Sequence, residues 1–285
     1  MLVELKSTTK KLCVIGDPVG HSKSPLLHNT MLSALGLDYL YLWQPVPRGK
    51  LGDWLAAARL LGYAGFNATM PHKEDLLPLM DLLDEDARMC GAVNTVCIRD
   101  GKLYGYNTDG AGFLQALTAA GIPVFNRHIT LLGAGGAAKA VALKLAAAGA
   151  AQVTVCNRTA AHAEALCSHN PRVLCPAGFD TAALTRCAAE CDLLVNCTSL
   201  GMAGTDGQFS DFSFLDALPC HAAVCDLIYS PHETALLAQA RLRGHSTMNG
   251  LGLLLHQAIL SLEHFTDTKI DGAAMVAILS AVLHE

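Results

Sequence analysis

Charged residues are scarce in this sequence: Asp, Glu, Lys and Arg together make up 16% of its 285 residues, against 52% hydrophobic residues. The charges are scattered, the formal net charge is -5, and no run or stripe of basic residues occurs. The lack of a basic stripe argues against a nucleic-acid partner. The apolar content excludes a disordered chain, and the length predicts two modest domains or one large one.

Several signatures of reactive or metal-binding chemistry are also missing. The 11 cysteines are odd in number, include no C-x-x-C pair, and lie in apolar stretches such as those around Cys13 and Cys156, so we interpret them as reduced core residues. Reduced thiols predict a cytoplasmic protein. The 12 histidines include no H-E-x-x-H spacing, so we expect no metal. The absence of a nucleophile-elbow pattern argues against a hydrolase.

Long hydrophobic runs are absent as well. Near the N-terminus, Lys6, Lys10 and Lys11 precede an apolar run of only four residues, which is too short for a signal-peptide core. The longest stretch without formal charge, residues 244–262, contains two histidines, Asn249 and Gln257. That composition does not predict a membrane span. We therefore expect no secretory signal and no membrane partner.

Short apolar runs alternate with helical patterns along the whole chain. The predicted strands are residues 12–16, 39–43, 63–69, 94–98, 103–106, 129–132, 153–156, 192–197 and 222–228. Helices are expected between most of them, and two more from about Leu251 onward. This alternation predicts an α/β fold with parallel sheets and helices on both faces.

Capping residues predict where three of these helices begin. Ser24 followed by Pro25 is typical of an N-cap and a first helical residue. Pro71 is expected to begin another helix, which Pro78 limits. Asp109 is expected to cap a helix that ends near Gly121.

A glycine-rich turn lies between the predicted strand 129–132 and a long Ala/Leu helix. Its sequence fits the G-x-G-x-x-A pattern, in which the glycines allow a tight turn and let the backbone approach a pyrophosphate. The helix N-terminus adds free N–H groups and a positive dipole end. The pattern predicts a dinucleotide site, and the expected contact residues are Gly133, Ala134, Gly135, Gly136 and Ala137.

The end of the next strand favours NADP over NAD. An acid at this position would hydrogen-bond the 2′-hydroxyl of NAD, whereas an arginine would attract a 2′-phosphate. The sequence here is Asn157, Arg158, Thr159, and no acid occurs until Glu164. A solvated surface side chain is the alternative interpretation of Arg158.

Three polar segments, residues 21–25, 67–73 and 107–110, supply hydroxyls, an amine and a carboxylate. Oxidation of a secondary alcohol needs a hydride acceptor and a group that takes the hydroxyl proton. Lys73 is the candidate for this group, because a helix start would disfavour its protonated amine. Asp109 is the candidate acid, although capping alone would also explain it. Ser22 and Ser24 lie where a helix N-terminus attracts anions.

In this order, the three segments and the glycine turn resemble the shikimate dehydrogenase family, and the resemblance runs almost end to end. It implies that Lys73 and Asp109 are the paired catalytic residues and that Ser22 and Ser24 hold the substrate carboxylate. It also implies that further side chains complete the substrate pocket, namely Thr69, Asn94, Tyr229 and Gln257. Gly250 is expected to contact the cofactor.

The implied domains are a substrate-binding domain of residues 1–108 and 250–285 and a Rossmann-type NADP-binding domain of residues 109–249, with the site in a cleft between them. The implied reaction is the reversible reduction of 3-dehydroshikimate to shikimate by NADPH, by a monomer or a homodimer. A quinate/shikimate dehydrogenase that uses NAD or both cofactors is the alternative, although NAD-using members tend to have aspartate where Thr159 stands. A non-catalytic regulator that binds the same ligands is a rival of another class. The chain departs from the family pattern at His162, where a second basic residue is common, and at Ala68.

Overall fold

The computed structural model describes residues 5–283, which fold into two compact units. One unit contains the described residues up to Thr108 and those from Leu255 onward, and the other contains Asp109–Leu254. The chain thus passes between the units twice, and its second passage lies inside a helix. Among residues 5–283, no helix is both long enough and apolar enough to cross a membrane.

The first unit is built around a six-stranded sheet. Its strands are β1 (Lys10–Gly16), β2 (Tyr39–Pro45), β3 (Tyr63–Ala68), β4 (Leu82–Leu83), β5 (Thr95–Arg99) and β6 (Lys102–Tyr106). Its helices are α1 (Ser24–Ala34), α2 (Leu51–Leu60), α3 (Glu85–Cys90), α9 (Leu251–Thr266) and α10 (Gly272–Leu283), where α9 begins in the other unit.

The strand order in this sheet is β2-β1-β3-β5-β6-β4. β1 pairs in parallel with β2 and β3, whereas β5 pairs antiparallel with β3 and with β6. The hairpin between β5 and β6 turns at Asp100 and Gly101, whose φ values are 50° and 74°. Two positive φ angles are typical of the tight hairpin turn that matches strand twist. The strands predicted at residues 94–98 and 103–106 thus form an antiparallel hairpin.

The second unit contains a six-stranded sheet with helices between its strands. Its strands are β7 (His128–Leu132), β8 (Gln152–Cys156), β9 (Leu174–Ala177), β10 (Leu193–Asn196), β11 (Ala223–Asp226) and β12 (Ser246–Met248). Its helices are α4 (Asp109–Ala119), α5 (Gly136–Ala147), α6 (Ala160–Cys167), α7 (Thr181–Ala189) and α8 (Ala235–Leu242).

All strands of the second sheet are parallel, in the order β12-β11-β10-β7-β8-β9. Numbered from β7, this is the order 6-5-4-1-2-3 of the doubly wound dinucleotide-binding fold. The order reverses at β7, so the carboxyl end of β7 is the position at which such folds bind their ligands. The predicted α/β class, with a Rossmann-type unit, is confirmed.

The predicted helix beginning at Pro71 is wrong. Residues 70–76 form turns, and only a short 3-10 turn follows at Leu77–Leu79. The reason lies in the backbone hydrogen bonds: the carbonyl of Lys73 accepts from Val93 N at 2.8 Å instead of from a residue four positions later. No helix N-terminus therefore lies at Lys73.

The predicted capping role of Ser24 is also wrong. Lys23 already has helical φ and ψ angles of -78° and -9°, and its carbonyl accepts from Leu27 N at 3.1 Å. Ser24 is consequently the first residue of α1, and the side chain of the N-cap residue Lys23 makes no capping hydrogen bond. Asp109 likewise is the first residue of α4 rather than the residue before it.

Close packing of α9 on the sheet depends on Gly65 in β3. A Cβ atom at Gly65 would lie 2.6 Å from Val96 O and 2.7 Å from Phe265 Cδ1. Both distances are too short, and one of the two atoms belongs to rigid backbone. The absence of a side chain at this position therefore lets β5 and α9 approach β3.

We expect Gly65→Ala to lower the free energy of unfolding by about 1–3 kcal/mol, because the added methyl overpacks this contact. Urea unfolding of the full chain measures the change. Gly52→Ala in α2 is the matched control, since a Cβ there meets nothing within 4 Å. An equal stability of the two variants would contradict the packing argument.

Candidate active site

Two adjacent hydroxyls lie in the loop between β1 and α1. Ser22 Oγ lies 3.1 Å from Ser24 Oγ and accepts from Ser24 N at 3.3 Å. The loop is held from β2, because Trp43 Nε1 donates to Ser22 O at 3.1 Å. Both serines are half-buried, whereas Lys23 between them is exposed. The two hydroxyls therefore point together beside the first turn of α1, where backbone N–H groups favour an anion.

Thr69 and Lys73 lie in the loop that follows β3. Thr69 N donates to Ile15 O at 3.0 Å, so this loop continues alongside the carboxyl end of β1. A Cβ at Gly16 would lie 2.5 Å from Thr69 Cγ2, so glycine at the end of β1 makes room for the threonine side chain. Lys73 is half-buried and follows His72, whose buried imidazole Nε2 is 2.7 Å from Val46 O.

A buried network of polar side chains supports this edge of the sheet. Its centre is Asn67, whose Nδ2 lies 2.9 Å from Thr95 Oγ1 and 3.0 Å from Ser261 Oγ, and whose Oδ1 accepts from Tyr41 OH at 2.6 Å. Ser261 Oγ in turn lies 2.8 Å from Thr95 Oγ1 and 3.2 Å from Thr108 Oγ1. All five side chains are buried. An unpaired buried polar group costs about 1–3 kcal/mol, so the network fixes these elements relative to one another.

Asn94 belongs to the same network. Its Nδ2 donates to Thr108 Oγ1 at 3.0 Å, and its Oδ1 accepts from Thr95 Oγ1 at 2.9 Å and from Thr108 N at 3.0 Å. Gln257 lies on α9 one helical turn before Ser261, so its helix is anchored by the same bonds. The first unit therefore brings its predicted site residues to one edge of the sheet, and α9 is bonded to the same edge. These residues are Ser22, Ser24, Thr69, Lys73 and Asn94.

The glycine turn of the second unit joins the carboxyl end of β7 to α5. Gly133 has a φ of 108°, which favours glycine, and its N–H donates to Cys156 O at 2.7 Å. Gly135 is the N-cap of α5, and no side chain caps this helix. A Cβ at Gly135 or Gly136 would meet nothing within 4 Å.

The open space over Gly135 and Gly136 shows whether a pyrophosphate could approach this turn. The protein's own packing does not require glycine at either position, and neither has a positive φ. Bare backbone N–H groups at a helix N-terminus are the donors that a pyrophosphate accepts from. The turn therefore fits the phosphates of a dinucleotide.

The residues that follow β8 line a cavity of about 540 Å³. Asn157 and Arg158 form part of its wall, and Asn157 Nδ2 donates to Thr159 O at 2.9 Å, which fixes the turn. Arg158 and His162 are exposed at the start of α6. Asp180 and Asp211 also line this cavity, so its wall carries both signs of charge. Hydrogen bonds from Ser213 lower the pKa of Asp211.

Tyr229 is exposed in the loop that follows β11. This loop is held by the buried carboxylate of Asp226, which accepts from Asn196 Nδ2, Ile228 N and Thr234 Oγ1 at 3.0, 3.0 and 2.7 Å. Burial raises the pKa of Asp226. Gly250 packs against the same loop, because a Cβ there would overlap the carbonyl of Leu227. Packing against Leu227 therefore already requires glycine at position 250, whether or not this residue contacts a cofactor.

The polar centres that sequence reasoning missed are Asn67, Thr108, Ser261 and Asp226. Asn67 and Thr108 stand inside the quoted polar segments, but no role was assigned to them. The available signal for Ser261 was a hydroxyl four residues after Gln257, a spacing that places both residues on one face of a helix. Among the residues that the structure describes, no group of three or more His, Cys, Asp or Glu side chains is arranged to hold a metal ion.

Comparison with known proteins identifies the family. Residues 14–96 match the shikimate dehydrogenase substrate binding domain, and residues 117–202 match the shikimate / quinate 5-dehydrogenase family. The shikimate dehydrogenase (NADP(+)) of Alkaliphilus metalliredigens is 40% identical over 271 residues, which cover 93% of this chain and 94% of that protein. The chain belongs to the shikimate dehydrogenase family.

Solved structures of this family superpose on nearly the whole chain. Shikimate 5-dehydrogenase from Listeria monocytogenes, in complex with shikimate and NAD, has a TM-score of 0.89 and 32% identity and covers 98% of this chain and 99% of its own. Quinate dehydrogenase from Corynebacterium glutamicum, in complex with NAD, has a TM-score of 0.85 and 31% identity and covers 96% and 99%. Because such similar structures belong to proteins with different named substrates, substrate and cofactor must be argued from individual residues.

We expect Gly135→Ala to weaken the binding of NADP and NAD several-fold while the free energy of unfolding changes by less than about 1 kcal/mol. The methyl fits the free protein but lies where the pyrophosphate must approach. Fluorescence titration and urea unfolding measure the two effects. Gly272→Ala, at the start of α10, also meets open space and should change neither. Unaltered cofactor binding in Gly135→Ala would argue against this turn as the phosphate site.

Proposed function

We propose that this chain is an NADP-dependent shikimate dehydrogenase, which reversibly reduces 3-dehydroshikimate to shikimate. The observation that carries the proposal is the clustering of a hydroxyl pair, Thr69, Lys73 and Asn94 at one edge of the first sheet. This set supplies an anion site, neutral donors and acceptors, and one amine, which are the groups that a hydroxylated cyclic acid needs.

Ser22 and Ser24 would bind the substrate carboxylate. Their hydroxyls are 3.1 Å apart and adjoin the start of α1, so one carboxylate can accept from both. Thr69, Asn94, Tyr229 and Gln257 would bind the ring hydroxyls. A site of this kind discriminates strongly, because a substrate that lacks a hydroxyl leaves a polar side chain unpaired.

Lys73 and Asp109 would act together on the reacting oxygen. Backbone and side-chain bonds support this pairing: Lys73 O accepts from Val93 N at 2.8 Å, and the next residue, Asn94, is bonded to Thr108. Asp109 follows Thr108, so their Cα atoms are about 3.8 Å apart. This path of bonds ends at Thr108, the last residue of the first unit before the chain continues to Asp109.

The proton at the reacting oxygen would be moved by Lys73. As the ketone of 3-dehydroshikimate becomes an alcohol, the Lys73 ammonium donates a proton to its oxygen, and in the reverse direction the neutral amine accepts it. Asp109 would orient both the amine and the substrate hydroxyl. When bound, NADPH supplies the hydride.

NADP would be held by the glycine turn at Gly133–Ala137 and by Arg158. The absence of an acid at the end of β8 supports this choice, as does an exposed arginine beside the cavity of about 540 Å³. His162, on the first turn of α6, would add a second contact to the 2′-phosphate. With a neutral imidazole this contact is weaker than that of an arginine. The carboxylates of Asp180 and Asp211, which line the cavity beside Arg158, would repel the phosphate.

Two other functions are separated from this one by simple assays. A quinate/shikimate dehydrogenase that uses NAD or both cofactors would keep the same catalytic pair. A non-catalytic regulator would bind the same ligands without turnover.

We also propose a cytoplasmic enzyme, as a monomer or a homodimer. Reduced thiols in the apolar interior, such as those of Cys13 and Cys225, support a reducing location.

Reduction of NADP and of NAD, followed by absorbance with shikimate and with quinate as separate substrates, tests the proposal as a whole. We expect the highest kcat/KM for shikimate with NADP. Activity with quinate and NAD alone would replace the proposal by the alternative. A lack of turnover with all four pairs, together with retained binding of shikimate, would favour the regulator.

We expect Lys73→Ala to lower kcat by about 10²–10⁴-fold, because it removes the group that transfers the proton. Binding of shikimate should largely survive, since other side chains hold the acid. Steady-state kinetics and calorimetric titration measure the two quantities. Lys102→Ala, at an exposed lysine on β6 of the same unit, is the matched control and should retain full activity. Normal turnover by Lys73→Ala would remove this residue from the mechanism.

We expect Arg158→Ala to raise the KM for NADP by roughly tenfold to a hundredfold and to leave the KM for NAD almost unchanged, because only NADP carries the 2′-phosphate. Arg172→Ala removes another exposed arginine of the same unit and should affect neither value. Equal increases for both cofactors in Arg158→Ala would contradict the assignment.

A further inference from the structure

Three buried hydroxyls meet where α9 packs on the first sheet. Ser261 Oγ lies 2.8 Å from Thr95 Oγ1 and 3.2 Å from Thr108 Oγ1. We call Thr95, Thr108 and Ser261 the hydroxyl cluster. In both contacts either oxygen could be the donor. The direction of the protons is therefore decided by the groups that surround the cluster.

Backbone groups fix the orientation of the two asparagine amides beside the hydroxyl cluster. Thr108 N can only donate, so the side-chain atom of Asn94 that lies 3.0 Å from it is the oxygen. The carbonyl of Asn94 can only accept, so the side-chain atom of Asn67 that lies 3.1 Å from it is the nitrogen. Turning either amide over would place two donors or two acceptors face to face. Each amide therefore has one orientation.

These orientations set the order of the hydroxyl protons. Ser261 Oγ accepts from Asn67 Nδ2 at 3.0 Å, and Thr108 Oγ1 accepts from Asn94 Nδ2 at 3.0 Å. Thr95 Oγ1 donates to Asn94 Oδ1 at 2.9 Å. The proton of Ser261 then points at Thr95, and the proton of Thr108 points at Ser261. The reverse order would exchange the 2.9 Å bond from Thr95 for a 3.3 Å contact between Thr108 Oγ1 and the same oxygen.

The result is a closed ring in which every hydrogen bond runs in one direction. The ring starts at Asn94 Nδ2, passes through the hydroxyls of Thr108, Ser261 and Thr95, and returns to Asn94 Oδ1. Hydrogen bonds arranged head to tail polarise one another, and the burial of all four side chains keeps water from competing for them. The ring therefore holds Asn94 by its nitrogen and its oxygen at the same time.

This ring determines what Asn94 can offer to a ligand. Its Oδ1 accepts from Thr95 Oγ1 and Thr108 N, and one hydrogen of its Nδ2 is donated to Thr108 Oγ1. The polar atom of the amide that these bonds do not use is the second hydrogen of Nδ2. An amide held in this way offers a ligand a donor and no acceptor. A substrate hydroxyl facing Asn94 would therefore accept from it and send its own proton elsewhere.

Ser261 is the member of the ring that comes from a remote part of the chain. Its contacts with Thr95 and Thr108 span 166 and 153 residues. Without its oxygen, the proton of Thr108 turns toward Asn94 Oδ1 and competes there with the proton of Thr95. A buried donor that loses its acceptor is costly, so the amide of Asn94 would shift to relieve the conflict.

We propose that Ser261 is a positioning residue of the substrate site. It closes a one-way ring of hydrogen bonds that holds the Asn94 amide as a donor toward the substrate. The ring itself stands on the distances between its members. Its link to substrate binding rests on the proposed function.

Neutron diffraction tests the ring on the wild-type protein. Crystals of the full chain, exchanged into heavy water, reveal the position of each hydroxyl deuterium. We expect the deuterium of Thr108 to point at Ser261, that of Ser261 to point at Thr95, and that of Thr95 to point at Asn94 Oδ1. The reverse order, or deuterium divided between two positions, would overturn the ring.

Binding of shikimate tests the positioning role. We expect Ser261→Ala to raise the dissociation constant for shikimate about tenfold, measured by calorimetry, because the Asn94 amide is no longer held. The dissociation constant for NADP should not change. In turnover, the KM for shikimate should rise while kcat stays within about twofold, because Ser261 binds no reacting atom. Thr266→Ala is the matched control and should alter none of these values, since it removes another hydroxyl of α9, whose bond to Leu262 O lies outside the ring.

A double-mutant cycle separates the ring from a general loss of packing. Thr95→Val breaks the same ring without altering α9, so both substitutions together should weaken shikimate binding no more than Ser261→Ala alone. Losses that multiply, an equal loss of NADP binding, or unchanged shikimate binding in either single variant would overturn the positioning role. Failure of the wild type to bind shikimate would refute the proposed function and the positioning role with it, whereas the neutron result decides the ring independently.

Discussion

The side-chain amide nitrogen of Asn67 lies 3.1, 2.9 and 3.0 Å from Asn94 O, Thr95 Oγ1 and Ser261 Oγ, oxygens from two distant parts of the chain. Nothing from solvent replaces these partners, because the site is buried. The register of β3 against β5 and the position of α9 must therefore satisfy one amide group at the same time. Thr69 follows Asn67 by two positions, so the bonds of Asn67 help to position the proposed substrate-binding groups of the first unit.

The two units position their polar binding groups in different ways. The first sets its polar groups with buried side-chain hydrogen bonds, which specify direction closely but tolerate little change. The second exposes bare backbone at Gly135 and Gly136. There the helix N-terminus attracts an anion, and the missing side chains leave space for it. Small residues therefore matter in the second unit for what they leave uncovered, whereas at Gly65 and Gly16 they matter for what they let approach.

Most elements and the doubly wound unit could be predicted from the sequence, because apolar runs and glycine turns mark them locally. Short elements such as β9, β12 and α3 lack enough residues to show a period. The helix expected at Pro71 failed for another reason: Lys73 O is taken by Val93 N, a partner that only the folded sheet brings near. The roles of Asn67 and Ser261 were hidden for the same reason, since their bond spans 194 residues of chain.

The division of the chain has a consequence for synthesis on the ribosome. The second unit is one continuous segment, so it has all its strands as soon as residue 254 has emerged. The first unit begins earlier but at that stage lacks most of α9 and all of α10, so its Asn67 has no Ser261 to bond. Domains generally fold as units during synthesis. The unit whose synthesis begins first is thus the unit that is completed last.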